Sequence, residues 1–370
     1  MKTAARFENF PPYTPIEPYD VLSARLGIPA EQIVKLDANE NPYGMSPRAA
    51  RSLADLRDAH IYPDPESRAL RAALAGYTGL PADNLMAGAG ADELIDLILR
   101  VMIEPGDVVF SFPPTFGMYP FGARLNGADL VEIPRRADFS LDIPALLEQA
   151  AAKQPKVIFL TSPNNPDGRL ITEAEFEAVI SLPALVVLDE AYIEFSGPAL
   201  GKANTRMAQV PRRENLCVLR TFSKWAGLAG LRVGYGAFPA WLLPVLWKAK
   251  QPYNVNVAAA QAAIVSLADA DFLQANVEKI TAERGRLLAK LREVFYLRPV
   301  DSNANFILCR VDGLPAAALK ADLMKQGILV RHYDTPRLRE SIRVSVGRPR
   351  DTDRLIEALH QIDEKRGEQA

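Results

Sequence analysis

The fold can be read starting from the stretch Leu216-Cys-Val-Leu-Arg-Thr-Phe-Ser-Lys-Trp-Ala-Gly-Leu-Ala-Gly-Leu-Arg232. It begins with a short apolar run, and two hydroxyl residues, Thr221 and Ser223, then precede Lys224. Similar runs, rich in β-branched residues, occur upstream at 107–111, 156–160 and 185–189. Segments with helical spacing of apolar residues lie between them, at 141–153 and 172–180. This alternation is typical of a largely parallel sheet with helices on both faces. It predicts an α/β fold with a three-layer large domain.

The pattern changes after residue 254. A long helical region at 258–294 is interpreted as one connecting helix. Strand-like runs follow at 305–310, 328–332 and 341–346, with helices at 315–326 and 351–364. We therefore predict a large domain at 48–262. A smaller α+β domain would combine 1–47, which includes an N-terminal arm, with 263–370.

The composition argues against several functional classes. With 370 residues, 48% of them hydrophobic, the chain can bury one large and one smaller core. Its net charge is −2 and its basic residues form no stripe, so nucleic-acid binding is not expected. Three scattered histidines do not predict a metal site, and the absence of a signal-like or membrane-spanning run favours a cytoplasmic protein. Cys217 and Cys309 lie in apolar runs and should be buried, reduced thiols.

Three polar side chains lie at or just after the ends of predicted strands. Asn164, Asp189 and Lys224 each have this position. Because ligands of open α/β sheets bind at the carboxyl ends of the strands, we expect the three to share one pocket. Asp189 closes an apolar strand, where an uncompensated carboxylate is costly, so it should meet a cation or a protonated ring nitrogen.

Hydroxyl and basic side chains near Lys224 suit a phosphate group. Thr221 and Ser223 can donate hydrogen bonds to phosphate oxygens, and Arg232 can add a charge-assisted pair. A glycine-rich turn ending at Gly90 precedes an amphipathic helix, whose first amides are free to bind an anion. Read alone, that turn is equally compatible with an ordinary helix start. The aromatic neighbours of Lys224 indicate a partly buried amine, and an imine with a phosphorylated aldehyde cofactor would use all these groups.

Together these residues resemble the fold-type I pyridoxal-phosphate-dependent aminotransferases, and the finer pattern is similar to the histidinol-phosphate aminotransferases. The similarity covers nearly the whole chain, and its motifs follow the family's order. The stretches that carry it are Leu36-Asp-Ala-Asn-Glu-Asn-Pro-Tyr-Gly44, Tyr62-Pro-Asp64, Gly90-Ala-Asp-Glu93, Ser162-Pro-Asn-Asn-Pro166, Asp189-Glu-Ala-Tyr-Ile-Glu-Phe195, Thr221-Phe-Ser-Lys224 and Gln251-Pro-Tyr-Asn-Val-Asn256.

The resemblance implies pyridoxal 5'-phosphate as the cofactor. Lys224 would form the imine and move the substrate proton, Asp189 would pair with the ring nitrogen, and Tyr192 would contact the phenolic oxygen. The other implied cofactor-binding residues are Gly90, Ala91, Asp92, Phe116, Asn165, Thr221, Ser223 and Arg232, with Tyr62 reaching across from the second subunit of a homodimer. Phe116 and Asp167 depart from the family, whose members commonly carry tyrosine and threonine there.

The resemblance also implies a reaction. L-Histidinol phosphate and 2-oxoglutarate would give imidazole-acetol phosphate and L-glutamate, as a step of histidine biosynthesis. Arg343 would bind the carboxylate of a substrate or of glutamate, while Arg331 and Tyr19 would engage the distal phosphate. For Arg331 and Arg343, each read alone, a surface ion pair is favoured over substrate binding by about two to one.

Other functions fit the same motifs. An aromatic or general amino-acid aminotransferase would use the same cofactor residues, and a phosphothreonine-type decarboxylase would also need to recognise a distal phosphate. A regulator that only senses the cofactor is a further class. Such regulators usually carry a DNA-binding extension, and the family-like segment begins too early in this sequence to leave room for one.

Overall fold

A computed structural model describes Thr3, Phe7, Phe10 and residues 17–367, with side chains through residue 364. Most of the expected N-terminal arm therefore lies outside the described residues. Internal contacts divide the chain into a large unit, Tyr43–Asn165 with Arg169–Val277, and a small unit, Met1–Pro42 with Pro166–Gly168 and Glu278–Ala370. The domain limits read from the sequence stay a prediction, and each unit is described by itself.

The strands fall into two sheets, one in each unit. In chain order they are β1 Val34–Leu36, β2 Leu85–Gly88, β3 Val108–Ser111, β4 Asp129–Glu132, β5 Val157–Thr161, β6 Leu185–Asp189, β7 Leu216–Thr221, β8 Gly234–Ala237, β9 Leu297–Pro299, β10 Phe306–Val311, β11 Ile328–His332 and β12 Ser341–Ser345.

The described residues also form α-helices, which are numbered here in chain order. They are α1 Tyr19–Leu26, α2 Pro47–Ala54, α3 Arg68–Thr78, α4 Ala91–Met102, α5 Met118–Leu125, α6 Ile143–Lys153, α7 Glu173–Ile180, α8 Pro198–Gly201, α9 Leu243–Ala249, α10 Val257–Ala268, α11 Ala270–Glu293, α12 Ala316–Lys325 and α13 Pro349–Gly367. No helix among the described residues is both long enough and apolar enough to span a membrane.

The sheet of the large unit has the strand order β2-β8-β7-β6-β5-β3-β4. All neighbouring strands are parallel except β8, which runs antiparallel to β2 and β7. The predicted α/β class with a mostly parallel sheet is confirmed. Between β5 and β6, helix α7 is preceded by its N-cap Thr172, whose hydroxyl accepts from the Glu175 amide while the Glu175 side chain accepts from the Thr172 amide. This capping box fixes where the crossover helix begins.

The core of this sheet consists of side chains that are almost wholly buried. Phe159, Val187, Cys217 and Leu219 are each at most 1% exposed, and helix α4 packs residues such as Leu94 against them. Cys217 and Cys309 are free and buried, as predicted. Because β6 and β7 are buried along their whole length, the first polar side chains at their carboxyl ends face whatever pocket lies there.

The small unit contains a five-stranded sheet with the order β1-β11-β12-β10-β9. Strand β1 is parallel to β11, and the remaining pairs are antiparallel. The predicted single helix over 258–294 is wrong in one respect, because the structure has two helices there. Helix α10 ends at Ala268, the amide of the following Asp269 donates to the Ser266 carbonyl, and α11 begins at Ala270.

Candidate active site

A pocket opens at the carboxyl ends of β5, β6 and β7. It lies wholly within the large unit and contains most of the predicted cofactor residues. The side chains that line it are Ala91, Asp92, Phe116, Tyr119, Thr161, Asn165, Asp189, Ala191, Tyr192, Thr221, Ser223, Lys224, Ala229 and Arg232. The prediction that strand-end residues converge is therefore confirmed for Asp189 and Lys224, and Asn165 represents the turn after β5.

Asp189 is the last residue of β6 and is 3% exposed. Its Oδ2 accepts from the Tyr119 hydroxyl at 2.7 Å, and its Oδ1 accepts from the Ala191 amide at 2.9 Å. Burial raises its pKa to about 6, although both hydrogen bonds act in the opposite direction. Among the described residues no basic side chain forms an ion pair with it. A buried carboxylate of this kind is suited to a cationic group that comes with a ligand.

Lys224 follows β7 in a turn between two fully buried aromatic side chains, Phe222 and Trp225. Its own side chain is half-buried, as the sequence predicted. The ammonium nitrogen lies 5.9 Å from the centroid of the Tyr192 ring. Trp225 also stacks on Tyr77, with ring centroids 5.6 Å apart and planes 9° from parallel. The turn that presents Lys224 is therefore anchored by aromatic packing on both sides of the lysine.

Hydroxyl groups and the start of α4 form a cradle for an anion. The Thr221 hydroxyl donates to Ser223 Oγ at 2.9 Å and accepts from the Ser223 amide at 3.1 Å. Arg232 Nη2 lies 2.8 Å from Asp92 Oδ2 in the first turn of α4. The N-terminus of α4 adds free amides and the positive end of its dipole. This combination of donors suits a phosphate dianion.

Two glycines allow the cradle to close. A Cβ on Gly90 would lie 2.8 Å from Arg232 Nη2, and Gly90 itself has a φ of +84° that favours glycine. A Cβ on Gly234 of β8 would lie 2.7 Å from the Ala91 amide nitrogen. Gly90 thus shapes the cradle through its lack of a side chain, although it is not among the residues that line the pocket.

Other predicted residues lie elsewhere. Tyr62 is 79% exposed and stacks on Tyr253, with centroids 4.7 Å apart, so it does not line the pocket of its own chain. Its contact with a second subunit stays a prediction.

Tyr19, Arg331 and Arg343 belong to the small unit, so their assignment to a substrate also stays a prediction. Arg331 and Arg343 are directly opposed on β11 and β12. Both guanidinium groups lie over the Tyr333 ring, at 5.3 and 5.8 Å, and Arg343 Nη2 donates to the Asp37 carbonyl at 2.7 Å. The two arginines are therefore neighbours on adjacent strands of the small unit.

Four lining residues were not found from the sequence, namely Tyr119, Thr161, Ala191 and Ala229. The most consequential is Tyr119, which is wholly buried and bonded to Asp189. It lies three residues after Phe116, and its ring meets the Phe116 ring edge-on. That spacing was the available signal, but a buried tyrosine in a helix is most often a packing residue.

A second buried cluster adjoins this pocket along the chain. Glu190 Oε2 accepts from Arg220 Nε at 3.0 Å and from the Thr205 hydroxyl at 2.6 Å, and Oε1 accepts from the Arg206 amide at 2.6 Å. Glu194 lies 3.6 Å from Arg220 Nη1, and burial raises its pKa to about 8. None of these side chains lines the pocket.

The residues of the pocket fit pyridoxal phosphate. A half-buried amine can reach an aldehyde, hydroxyls with a helix N-terminus suit its phosphate, and Asp189 supplies the anion that a protonated pyridine nitrogen needs. Phe116 lines the same pocket and offers an aromatic face.

Comparison with known proteins gives the same result. The family model for aminotransferase class I and II matches residues 31–359. This chain belongs to that family. Histidinol-phosphate aminotransferase 1 of Arabidopsis thaliana, a chloroplastic protein, is 51% identical over 95% of this chain and 83% of its own length. The histidinol-phosphate aminotransferase of Roseiflexus castenholzii is 47% identical over 95% of each chain.

A solved structure confirms the fold of this aminotransferase family member. The crystal structure of histidinol-phosphate aminotransferase from Sinorhizobium meliloti, in complex with pyridoxal-5'-phosphate, is similar with a TM-score of 0.86 and 27% identity. The match covers 97% of this chain and 99% of that chain. The predicted fold-type I class and the predicted family are therefore confirmed.

Proposed function

We propose that the chain is a pyridoxal-phosphate-dependent aminotransferase that transfers the amino group of L-histidinol phosphate to 2-oxoglutarate, as a step of histidine biosynthesis. The observation that carries the chemistry is that one pocket holds a half-buried lysine, a phosphate cradle and a buried carboxylate that pairs with no basic side chain in the described part of the chain. The relatives' names support the choice of substrates, since two of them are 51% and 47% identical to this chain over 95% of its length.

When bound, pyridoxal phosphate supplies an aldehyde for amine exchange and a ring that accepts electrons from the substrate Cα. Lys224 Nζ would remove the proton from the substrate Cα as a general base and later deliver it, as a general acid, to the former aldehyde carbon of the cofactor. Asp189 keeps the ring nitrogen protonated through its negative charge. Tyr192 and Asn165 line the pocket and can donate to the phenolic oxygen.

The parts of the proposal that concern the substrate rest on the small unit. Arg331 and Arg343 place two guanidinium groups side by side on neighbouring strands, and guanidinium groups bind phosphates and carboxylates in a bidentate manner. We assign Arg331 and Tyr19 to the phosphate of histidinol phosphate and Arg343 to the carboxylate of glutamate. Two substrates that differ in their anionic groups can then use one amine-exchange pocket in turn.

Homodimer formation and a cytoplasmic location complete the proposal. Tyr62 is exposed, and the resemblance assigns it to the phosphate of the partner's cofactor. Light scattering of the purified protein tests the dimer, and a Tyr62→Phe variant with weaker cofactor binding supports the shared site. Cell fractionation tests the location.

The decisive experiment is a single half-reaction. The holoenzyme is mixed with L-histidinol phosphate or with phenylalanine, and the absorbance of its cofactor is followed. We expect fast conversion with histidinol phosphate only. Equal rates would contradict the specific assignment and favour an aromatic or general aminotransferase, and release of carbon dioxide from phosphothreonine would favour a decarboxylase.

A lysine variant tests the chemistry itself. Lys224→Ala should lower turnover by a factor of about 100 or more, because it removes the general base. The matched control is Lys153→Ala, at an exposed lysine at the end of α6. A Lys224→Ala protein that keeps full transaminase activity would overturn the catalytic proposal.

A further inference from the structure

Tyr119 occupies a fixed position between the sheet and the pocket. It is wholly buried, and its ring stacks on that of Phe159 in β5, with centroids 4.9 Å apart and planes 5° from parallel. Phe116 meets the same ring edge-on at 5.5 Å. Because packing on both sides restrains the ring, the position of its hydroxyl is set by the fold.

That hydroxyl lies between two oxygen atoms. Asp189 Oδ2 is 2.7 Å away and Thr161 Oγ1 is 2.8 Å away. An ionised carboxylate only accepts hydrogen bonds, so the single proton of the Tyr119 hydroxyl points to Asp189. Thr161 must then donate to Tyr119. The two hydroxyls thus form a directional chain that ends on the carboxylate, and protonation of Asp189 would remove the reason for this direction.

The neighbouring groups reinforce the same arrangement. The other oxygen of Asp189 accepts from the Ala191 amide, so both oxygens have a donor from the protein. Around Asp189, burial and the charges of Asp92 on α4 and Glu190 after β6 favour the neutral acid, whereas the bonds from Tyr119 and Ala191 favour the anion. Burial raises the pKa of the Tyr119 phenol, and the Asp189 charge acts in the same direction, so the phenol remains a donor. The hydroxyl chain therefore opposes the effect of burial.

We propose that Tyr119 and Thr161 are positioning residues that hold Asp189 ionised and aimed at the ring nitrogen of the cofactor. The inference rests on the proposed function, because it assigns a purpose to Asp189 that only a pyridine ring provides. Neither hydroxyl needs to touch the substrate. Their effect on the reaction passes through the charge on Asp189 and then through the protonation of the ring.

The test uses the holoenzyme with Tyr119→Phe, which removes the hydroxyl and keeps the stacked ring. The proton shared by Asp189 and the ring nitrogen should shift toward the carboxylate, which makes the ring less positive. A less positive ring makes the Lys224 nitrogen, which binds the aldehyde carbon of the cofactor, more basic. We expect the pH at which cofactor absorbance changes to rise by about one unit. Cofactor affinity and kcat should each fall about tenfold, with KM changed less than about twofold.

The threonine gives a second, milder test. Thr161→Val should shift the absorbance transition in the same direction by about half as much, because it weakens the Tyr119 bond without removing it. Thr161→Ser keeps the hydroxyl and should restore wild-type values. These variants keep the proposal testable even if Tyr119→Phe fails to fold.

The matched control is Tyr296→Phe. Tyr296 is also buried, and its hydroxyl donates to the Leu359 carbonyl at 2.9 Å, but it does not line the pocket. It should lose stability without any shift in the absorbance transition. Tyr119→Phe or Thr161→Val proteins with wild-type transition pH and cofactor affinity would overturn the proposal. Failure of the proposed function looks different, because the wild-type protein itself would then show no cofactor binding or no amine exchange.

Discussion

Asp189 and Glu190 are consecutive residues, both are buried, and their surroundings differ completely. Glu190 is surrounded by donors, among them the Arg220 guanidinium, the Thr205 hydroxyl and the Arg206 amide. Asp189 has donors as well, but no basic side chain among the described residues pairs with it. The protein itself neutralises the charge of Glu190, whereas Asp189 is suited to a positive charge that a ligand supplies. Burial alone therefore does not distinguish a structural acid from a functional one, whereas the presence of a counter-charge does.

The cluster around Arg220 also contains a second acid. Glu194 lies 3.6 Å from Arg220 Nη1, and burial raises its pKa to about 8. Burial thus favours its protonated form at neutral pH, although the Arg220 charge acts in the opposite direction. The cluster is thus close to electrically neutral inside the core. Asp189 has no comparable basic partner among the described residues, and the following experiments test that difference.

The largest expected effect is on catalysis. Asp189→Asn keeps the shape of the side chain but removes its charge, so kcat should fall about 1,000-fold, or about 4 kcal/mol, as the ring nitrogen loses its counter-ion. The apoprotein should be no less stable than wild type. The control is Asp107→Asn, at a half-exposed carboxylate that is 2.6 Å from Lys156. Wild-type turnover in Asp189→Asn would contradict the assignment of Asp189 as a functional acid.

The next effect is on stability and concerns Glu190. Glu190→Gln turns one accepting oxygen into an amide donor that faces either the Arg206 amide or the Arg220 guanidinium, and it leaves Arg220 short of a counter-charge. The free energy of unfolding should fall by about 3 to 4 kcal/mol in urea titrations. Glu173→Gln, at the 63% exposed partner of Arg206, should cost less than about 1 kcal/mol. Equal losses in the two variants would mean that Glu190 is not a structural acid.

A pH titration of the apoprotein measures the missing counter-charge around Asp189. Its pKa is about 6 in the folded state, against 3.8 for the free side chain. Below about pH 4 both states hold the proton and there is no effect. Between about pH 4 and 6 the unfolded chain has lost this proton while the folded carboxyl keeps it, so the free energy of unfolding falls by about 3 kcal/mol as pH rises and then stays constant above about pH 6. Wild type should show this fall relative to Asp189→Asn between pH 4 and 7. Parallel stability curves for the two proteins would contradict it.

The smallest effect distinguishes the Thr205 hydroxyl, which donates to Glu190, from the Tyr119 hydroxyl, which donates to Asp189. Thr205→Val removes a hydrogen bond to Glu190, so it should lower the free energy of unfolding by about 1.5 kcal/mol and leave the pH dependence of cofactor absorbance unchanged. Thr205→Ser is the matched control and should recover most of the loss. A shifted absorbance transition in Thr205→Val would show that the Glu190 cluster also tunes the cofactor.

Much of the fold was predictable because the strands beside the pocket are long apolar runs. Strands β6 and β11 match the predicted ranges, β3 and β7 differ from them by one residue at one end, and β5 is shifted by one residue. Strand β8 was missed, since its sequence Gly-Tyr-Gly-Ala has little intrinsic strand preference and close packing selects its glycines. The break at Asp269 was missed because both helices beside it have continuous helical periodicity.

The candidate site was predictable to a different degree in its two parts. Asp189, Tyr192 and Lys224 lie in short motifs, so their types and spacing were visible in the sequence. Tyr119 was not recognisable, because its partner Asp189 is 70 residues away and nothing near Tyr119 reveals the bond. The same holds for Arg220, whose partner Glu190 lies 30 residues before it.

The sequence by itself determined the kind of chemistry, since Asp189 ends one apolar strand and Lys224 follows another, which brings an acid and an amine to one sheet edge. It also determined the family. Only the tertiary structure decided which buried acid receives a basic partner and which receives the hydroxyls of Tyr119 and Thr161. The physical reason is that hydrogen bonds and ion pairs require atoms within about 3 Å, and residues distant in sequence reach that range only after the sheet and its helices have packed.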